Sequence, residues 1–278
     1  MLRKALCSLA LALLVGASLA PTAHAKDSAL AAALAGPERK PDNIARDNVR
    51  HPAQTLAFWG LKPGLAVVEI SPGGGYWTEI LAPYAKASGG KYTAALADLN
   101  DPATPESYRR GRAAFEARFS DKARFGDANF VSFGPKTGPL GTAGSADLVI
   151  TARNVHNWLW TPGFADKAFA DFYAVLKPGG VLGVEEHRAD PRPQVPEARD
   201  GYVATATVRA LAEKAGFVFV AASEANANPK DTKDHPAGVW TLPPTRMAPK
   251  DAPKDFDRAK YDAIGESDRM TLRFRKPG

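Results

Sequence analysis

Hydrophobic positions along the chain alternate between short continuous runs and segments spaced three and four residues apart. Leu65 to Ile70 reads LAVVEI, the pattern of a strand covered on both faces of a parallel sheet. Lys91–Leu96, Asn129–Phe133, Asp147–Thr151, Val181–Glu185 and Phe217–Ala221 are further strands. Between them, Tyr76–Tyr84, Pro105–Phe119, Phe164–Leu176 and Val203–Ala215 carry helical spacing. Strands separated by helices predict βαβ units in an open, mostly parallel α/β sheet. Met270–Arg275 (MTLRFR) alternates and predicts a last strand.

Upstream, Ser28–Leu34 and Ile44–Trp59 read as helices, the latter divided or begun at Pro52. Residues 26–64 are thus a helical N-terminal extension to a domain spanning 65–278. Residues 226–262 are rich in Pro, Lys and Asp and lack periodicity. They read as a flap inserted before the last strand, too long for an ordinary connection.

The first 25 residues have a separate pattern. Arg3 and Lys4 precede an apolar stretch from Ala5 to Ala20, and Ala23-x-Ala25 follows. These are the three parts of a secretory signal, with cleavage expected after Ala25. Cleavage removes Cys7, the only cysteine, so disulfides and cysteine metal sites are not expected. The apolar run is short for a membrane span and no second one follows, so a periplasmic or secreted product without stable membrane insertion is expected. The 278 residues carry 36 Lys+Arg against 30 Asp+Glu, a net charge of +6. This mild excess has no dense basic stripe with interleaved aromatics, and a nucleic-acid partner is not expected. A small-molecule substrate is.

The sequence Glu69-x-Ser71-x-Gly73-Gly74-Gly75 lies between an apolar strand and a helix. Glycines there let backbone approach a ligand, and a helix start presents free N–H groups. Together with Ala146–Ile150, Phe172–Leu182 (FYAVLKPGGVL) and Glu213–Phe217, this turn resembles the class I S-adenosylmethionine-dependent methyltransferases over roughly Leu65 to Lys276. Asn154-Val155-His156-Asn157-Trp158 and the ending Phe274–Pro277 are similar to an exported "predicted methyltransferase" subgroup. The resemblance implies a Rossmann-like, doubly wound, seven-stranded sheet with an antiparallel last strand. It also implies S-adenosylmethionine as cofactor, with Glu69, Ser71, Gly73 and Gly75 lining its methionine half.

Three departures stand out. Ser71 replaces the usual first glycine. The nearest acid for the ribose hydroxyls is Asp98, two residues late. Gly134-Pro135-Lys136 stand where an acidic adenine contact is usual.

On the acceptor side, Asn154, His156 and His187 are the expected catalytic residues, since imidazole titrates near neutrality. Against this stands a capping role for Asn154 and a packing role for His156 beside Trp158 and Trp160. Glu185, Glu186 and His187 are consecutive and alternate across a strand, so the three are not expected to converge on a metal. Arg46, Asp47, Arg50 and His51 read as a solvated charged face or a lid. Trp240 reads as a pocket wall or a flap anchor. Two functions from different classes follow: methyl transfer to a small or exported acceptor, or non-catalytic binding of a small molecule by the same fold. The second gains from location, because a chain exported unfolded carries no cofactor with it. A nicotinamide enzyme fits less well, since the turn lacks Gly-x-Gly-x-x-Gly spacing.

Overall fold

The computed structural model describes residues 28–191 and 196–278. The predicted signal segment, with Cys7, lies outside the described residues. The sheet strands are β1 (Ala66–Ile70), β2 (Lys91–Ala97), β3 (Ala128–Phe133), β4 (Ala146–Ala152), β5 (Leu176–His187), β6 (Val218–Ser223) and β7 (Arg269–Arg275). Their order is β3-β2-β1-β4-β5-β7-β6. β1 to β5 pair in parallel, and β7 runs antiparallel between β5 and β6. This is the expected doubly wound sheet with an antiparallel final strand.

The strand period divides the core in two. Val68, Ile70, Val149, Leu182 and Val184 pack with Phe169, Phe172 and Val208 on one face. Val67, Leu148 and Ile150 pack with Ile80, Tyr84, Phe115 and Phe119 on the other. Glu69 shares that second face, beneath the Thr78–Ser88 helix.

β5 differs from the expected short strand. Leu176 pairs with Ala146, and pairing resumes at Leu148↔Val181. Lys177-Pro178-Gly179-Gly180 is the intervening bulge, with Gly179 at φ 79°. A Cβ at Gly180 would lie 2.9 Å from the Lys177 carbonyl oxygen, so the LKPGG sequence is a kink within one strand.

The N-terminal extension forms helices Ser28–Ala35, Pro41–Ile44, Asp47–Arg50 and Pro52–Phe58. Pro52 stands at a helix start, where its missing N–H leaves no partner unmade. Trp59 closes the extension over the sheet. Its ring occupies the space a Cβ at Gly183 would need, 2.5 Å away, and its indole N–H donates to the Leu272 carbonyl at 3.1 Å. Burying an aromatic side chain this fully stabilises the docking by roughly 2–3 kcal/mol.

The flap region is more ordered than its composition predicts. It contains an extended segment at Pro236–Val239, outside the sheet, and leads into a helix at Arg258–Ile264. Buried Asp231 fastens the first part. Its carboxylate accepts from the Tyr202 hydroxyl at 3.0 Å and the Asp268 N–H at 2.8 Å, and meets His235 Nε2 at 2.8 Å. Residues 244–251, apart from Pro249, are exposed.

Candidate functional site

At the end of β1 the chain turns through Ser71–Gly75. Ser71, Gly73 and Gly75 all have positive φ, at 49°, 58° and 87°. The glycines adopt this freely, whereas Ser71 does so at a cost of about 1–2 kcal/mol. The turn is held from β4. The Asn154 side-chain amide donates to the carbonyls of Ile70 (3.0 Å) and Ser71 (3.4 Å). Asn154 thus spends its amide nitrogen fastening the turn, a positioning role rather than the expected catalytic one.

The two outer motif glycines face different surroundings. A Cβ on Gly73 or Gly74 would meet nothing within 4 Å, so their backbone is open. A Cβ on Gly75 would lie 2.5 Å from the Phe119 ring. Gly75 is therefore required by packing against Phe119, whatever its backbone faces. Glu69 lies beneath the turn. It is 2% exposed, and its Oε2 accepts from the Tyr92 hydroxyl (2.6 Å) and the Thr78 hydroxyl (2.8 Å). Burial pushes its carboxyl up to about 7, against those two hydrogen bonds. It braces the strand beneath the turn and forms no part of the cavity wall.

A cavity of about 290 Å³ opens over the turn at the C-terminal ends of the strands. Ser71, Gly73 and Gly74 form one side, and Asn154, His156 and His187 another. The flap contributes Trp240 and Pro243 to the wall, and the extension contributes Arg46 and Arg50. Arg50 has a side chain only 1% exposed, so the charged face expected to be solvated is in part a cavity wall. A second cavity, about 320 Å³, lies at the ends of β2 and β3 and is lined by Asp98, Asn100, Ser132, Lys136 and Thr137. Asp98 is buried there and accepts from the Asn100 N–H at 3.0 Å. The structure thus gathers Ser71, Gly73, Asn154, His156 and His187 at one cavity and Asp98 at its neighbour.

His156 is buried, with Nδ1 3.0 Å from Glu186 Oε1. Glu186 also accepts from the backbone N–H of His187 (2.7 Å) and of His156 (3.3 Å). A carboxylate accepts only, so His156 carries its proton on Nδ1 and leaves Nε2 as the basic nitrogen. The ring packs against Trp160 and Trp240, with centroids 6.1 Å and 5.8 Å away, while Trp158 turns into the core against Phe172. His187 Nδ1 lies 2.5 Å from the Ser267 hydroxyl. Burial, with the charges of Arg153 and Arg269 nearby, holds His187 well below the ordinary imidazole range.

His156, Glu186 and His187 bring their donor atoms within 4.8 Å of one another, a grouping able to hold a metal ion. Along β5 the side chains alternate, and Glu185 turns away, to Arg269 at 2.8 Å. His156 joins Glu186 and His187 from the segment after the neighbouring strand β4. With three hydrogen bonds already on its carboxylate, Glu186 reads here as the partner that orients His156.

Sequence reading missed Arg153, Glu266 and Ser267, and weighed Glu186 only as a metal ligand. Arg153 has a left-handed backbone (φ 61°) at the end of β4 and lines the cavity. Only the Glu185-Glu186-His187 run signalled Glu186. Glu266 and Ser267 precede the last strand and carried no signal of their own.

No family model and no curated protein matches the sequence. Solved structures do match. The [4+2]-cyclase SpnF is 15% identical with a TM-score of 0.56, over 90% of this chain and 93% of that one. A proposed methyltransferase from Bacillus halodurans is 17% identical with a TM-score of 0.50, over 82% of this chain and all (100%) of its own. A SAM-dependent methyltransferase from Aquifex aeolicus is 20% identical with a TM-score of 0.48, over 66% and 87%. The first two names differ in chemistry, and a shared fold does not select between them. What the likeness establishes is architecture: this chain has the Rossmann-like α/β fold, with antiparallel last strand, of these enzymes.

Proposed function

We propose that the chain is a methyltransferase that binds S-adenosylmethionine and acts on a small molecule. The observation that carries this reading is the open backbone at Gly73 and Gly74, facing a cavity also lined by His156, whose ring is paired with Glu186 behind it. The two cavities suit the two halves of the cofactor. Ser71, Gly73 and Gly74 would hold the methionine half, and Asp98 the ribose hydroxyls, with Ser132 and Thr137 beyond. When bound, the cofactor supplies an electrophilic methyl group on sulfur.

The chain's own residues then align and deprotonate an acceptor. His156 takes the acceptor proton at Nε2, and Glu186 steadies the imidazolium. His187, kept neutral, hydrogen-bonds the acceptor. Trp160 and Trp240 keep water from the reacting centre. Asn154 keeps the turn in register with β4. Export after cleavage behind Ala25 belongs to the same proposal.

Calorimetry of the purified protein with S-adenosylmethionine and S-adenosylhomocysteine tests the reading. Both should bind, and Asp98→Ala should weaken both at least tenfold. A well-folded wild type that binds neither would overturn methyl transfer and leave a binding protein on a reused fold.

A further inference from the structure

The cavity wall carries more positive charge than the protein neutralises. Arg46, Arg50, Arg153 and Arg269 gather around two carboxylates, Glu185 and Glu266. Glu266 is shared three ways. It receives Arg46 Nε at 2.7 Å, Arg50 Nε at 3.0 Å and Arg269 Nη1 at 3.2 Å. Glu185 takes Arg269 at 2.8 Å. The next acid, Glu186, is turned to His156 and two backbone amides. Arg39 and Asp47 form a separate pair beside Tyr76.

Donor groups are left over at the wall itself. Arg50 is 1% exposed, lies 4.5 Å over the Tyr76 ring, and its Nη2 has no partner. Arg46 Nη2 and Arg153 Nε are buried without partners as well. Among the described residues no hydrogen bond or ion pair reaches the Arg153 guanidinium, although it lines the cavity. Arg153 is only half-buried, but each buried N–H left without an acceptor forfeits the hydrogen bond it made with water. Planar guanidinium forks match oxyanions that accept two bonds at once.

We propose that Arg153, with Arg46 and Arg50, forms a subsite for an oxyanion, phosphate or carboxylate, carried by the acceptor. This rests on the methyl-transfer reading for the word acceptor and on the side-chain geometry alone for the anion. The cofactor's own carboxylate is the competing source. It comes with an ammonium group, a further positive charge on a wall whose carboxylate, Glu266, is already shared by three arginines. Arg153 follows β4 three residues before His156, the base proposed for the acceptor, while the Ser71–Gly74 turn lines the same cavity from β1, so the parallel S-adenosylhomocysteine titration separates the two sources. The acceptor side is the closer match.

Inorganic phosphate and malonate are the probes, titrated at low ionic strength into wild type, Arg153→Gln and Arg153→Lys. Arg110→Gln, an exposed arginine on the Glu106–Phe119 helix, is the surface control. S-adenosylhomocysteine is titrated in parallel, and thermal melting checks each fold. The expected result is binding of at least one probe by wild type and Arg110→Gln. Arg153→Gln should weaken it at least tenfold and Arg153→Lys less, with S-adenosylhomocysteine affinity unchanged in both. Absent probe binding by wild type, or binding equal in Arg153→Gln, overturns the subsite. Loss of S-adenosylhomocysteine binding in Arg153→Gln with phosphate binding intact also overturns it, and assigns the arginines to the cofactor. Wild type that binds phosphate through Arg153 but no S-adenosylhomocysteine keeps the subsite and refutes methyl transfer instead. If Arg153→Gln does not fold, the comparison of Arg153→Lys with wild type decides, because a shortened fork should still weaken binding severalfold.

Discussion

Glu69→Gln separates the bracing role of Glu69 from a ligand role, through the pH dependence of stability. Glu69 lies 2% exposed under the Thr78–Ser88 helix, and among the described residues two hydroxyl groups reach its carboxyl. Its carboxyl, ordinarily near 4.5, is pushed up to about 7 by burial. At about 1.4 kcal/mol per pH step, that gap amounts to about 3 kcal/mol. A carboxyl raised in the folded state contributes stability that is fully present below pH 4.5. The contribution falls as pH rises and is gone once pH passes the folded value near 7. Wild type should therefore lose about 3 kcal/mol relative to Glu69→Gln between pH 4.5 and 7.5, then run parallel to it. The glutamine amide forces the Tyr92 and Thr78 hydroxyls to rearrange around it and adds an offset of about 1–3 kcal/mol. That offset does not change with pH, so the slope of the difference is the readout. Urea unfolding of both proteins from pH 4.5 to 8.5 measures it. A difference that stays constant across this range would refute the reasoning, as would a loss of S-adenosylhomocysteine affinity in the variant without any change in slope.

Two further outcomes follow from the turn and the flap. Gly75→Ala should lower the melting midpoint sharply, by an energy of about 2 kcal/mol or more, since its Cβ meets the Phe119 ring at φ 87°. Gly73→Ala should cost only about 1 kcal/mol of stability while weakening cofactor binding, because its surroundings are open; melting and calorimetry of the pair check this, and equal destabilisation would count against it. Trypsin should cut first after Arg246, Lys250 or Lys254, in the exposed part of the flap, and spare Lys230 and Lys233 beside the Asp231 network. First cleavage at those two lysines would show that the network does not hold the flap.

Local patterns alone announced the architecture. LAVVEI, DLVIT and the helices between them have periods that allow one kind of sheet, and each run was buried as its composition required. The glycines of the turn were legible because backbone conformation is a local property, and Ser71 shares the left-handed φ of its neighbours. What those glycines face was not legible. Gly73 opens on a cavity and Gly75 on Phe119, and the difference depends on a helix more than forty residues away. The same holds for Glu69, whose partner Tyr92 comes from the adjacent strand, and for Asn154, whose amide reaches back to β1. Consecutive Glu185, Glu186 and His187 could be assigned to faces by alternation, but not to partners. Arg269 and His156 arrive from elsewhere in the chain. Arg50 looked like a solvated charge because a helical pattern states which residues share a face, not what the face meets. Only the docking of Trp59 over Gly183, and the return of Glu266 ahead of the last strand, turned that face into a cavity wall. Periodicity reports neighbours within an element, while burial and charge balance are set by contacts between elements that the chain closes only on folding.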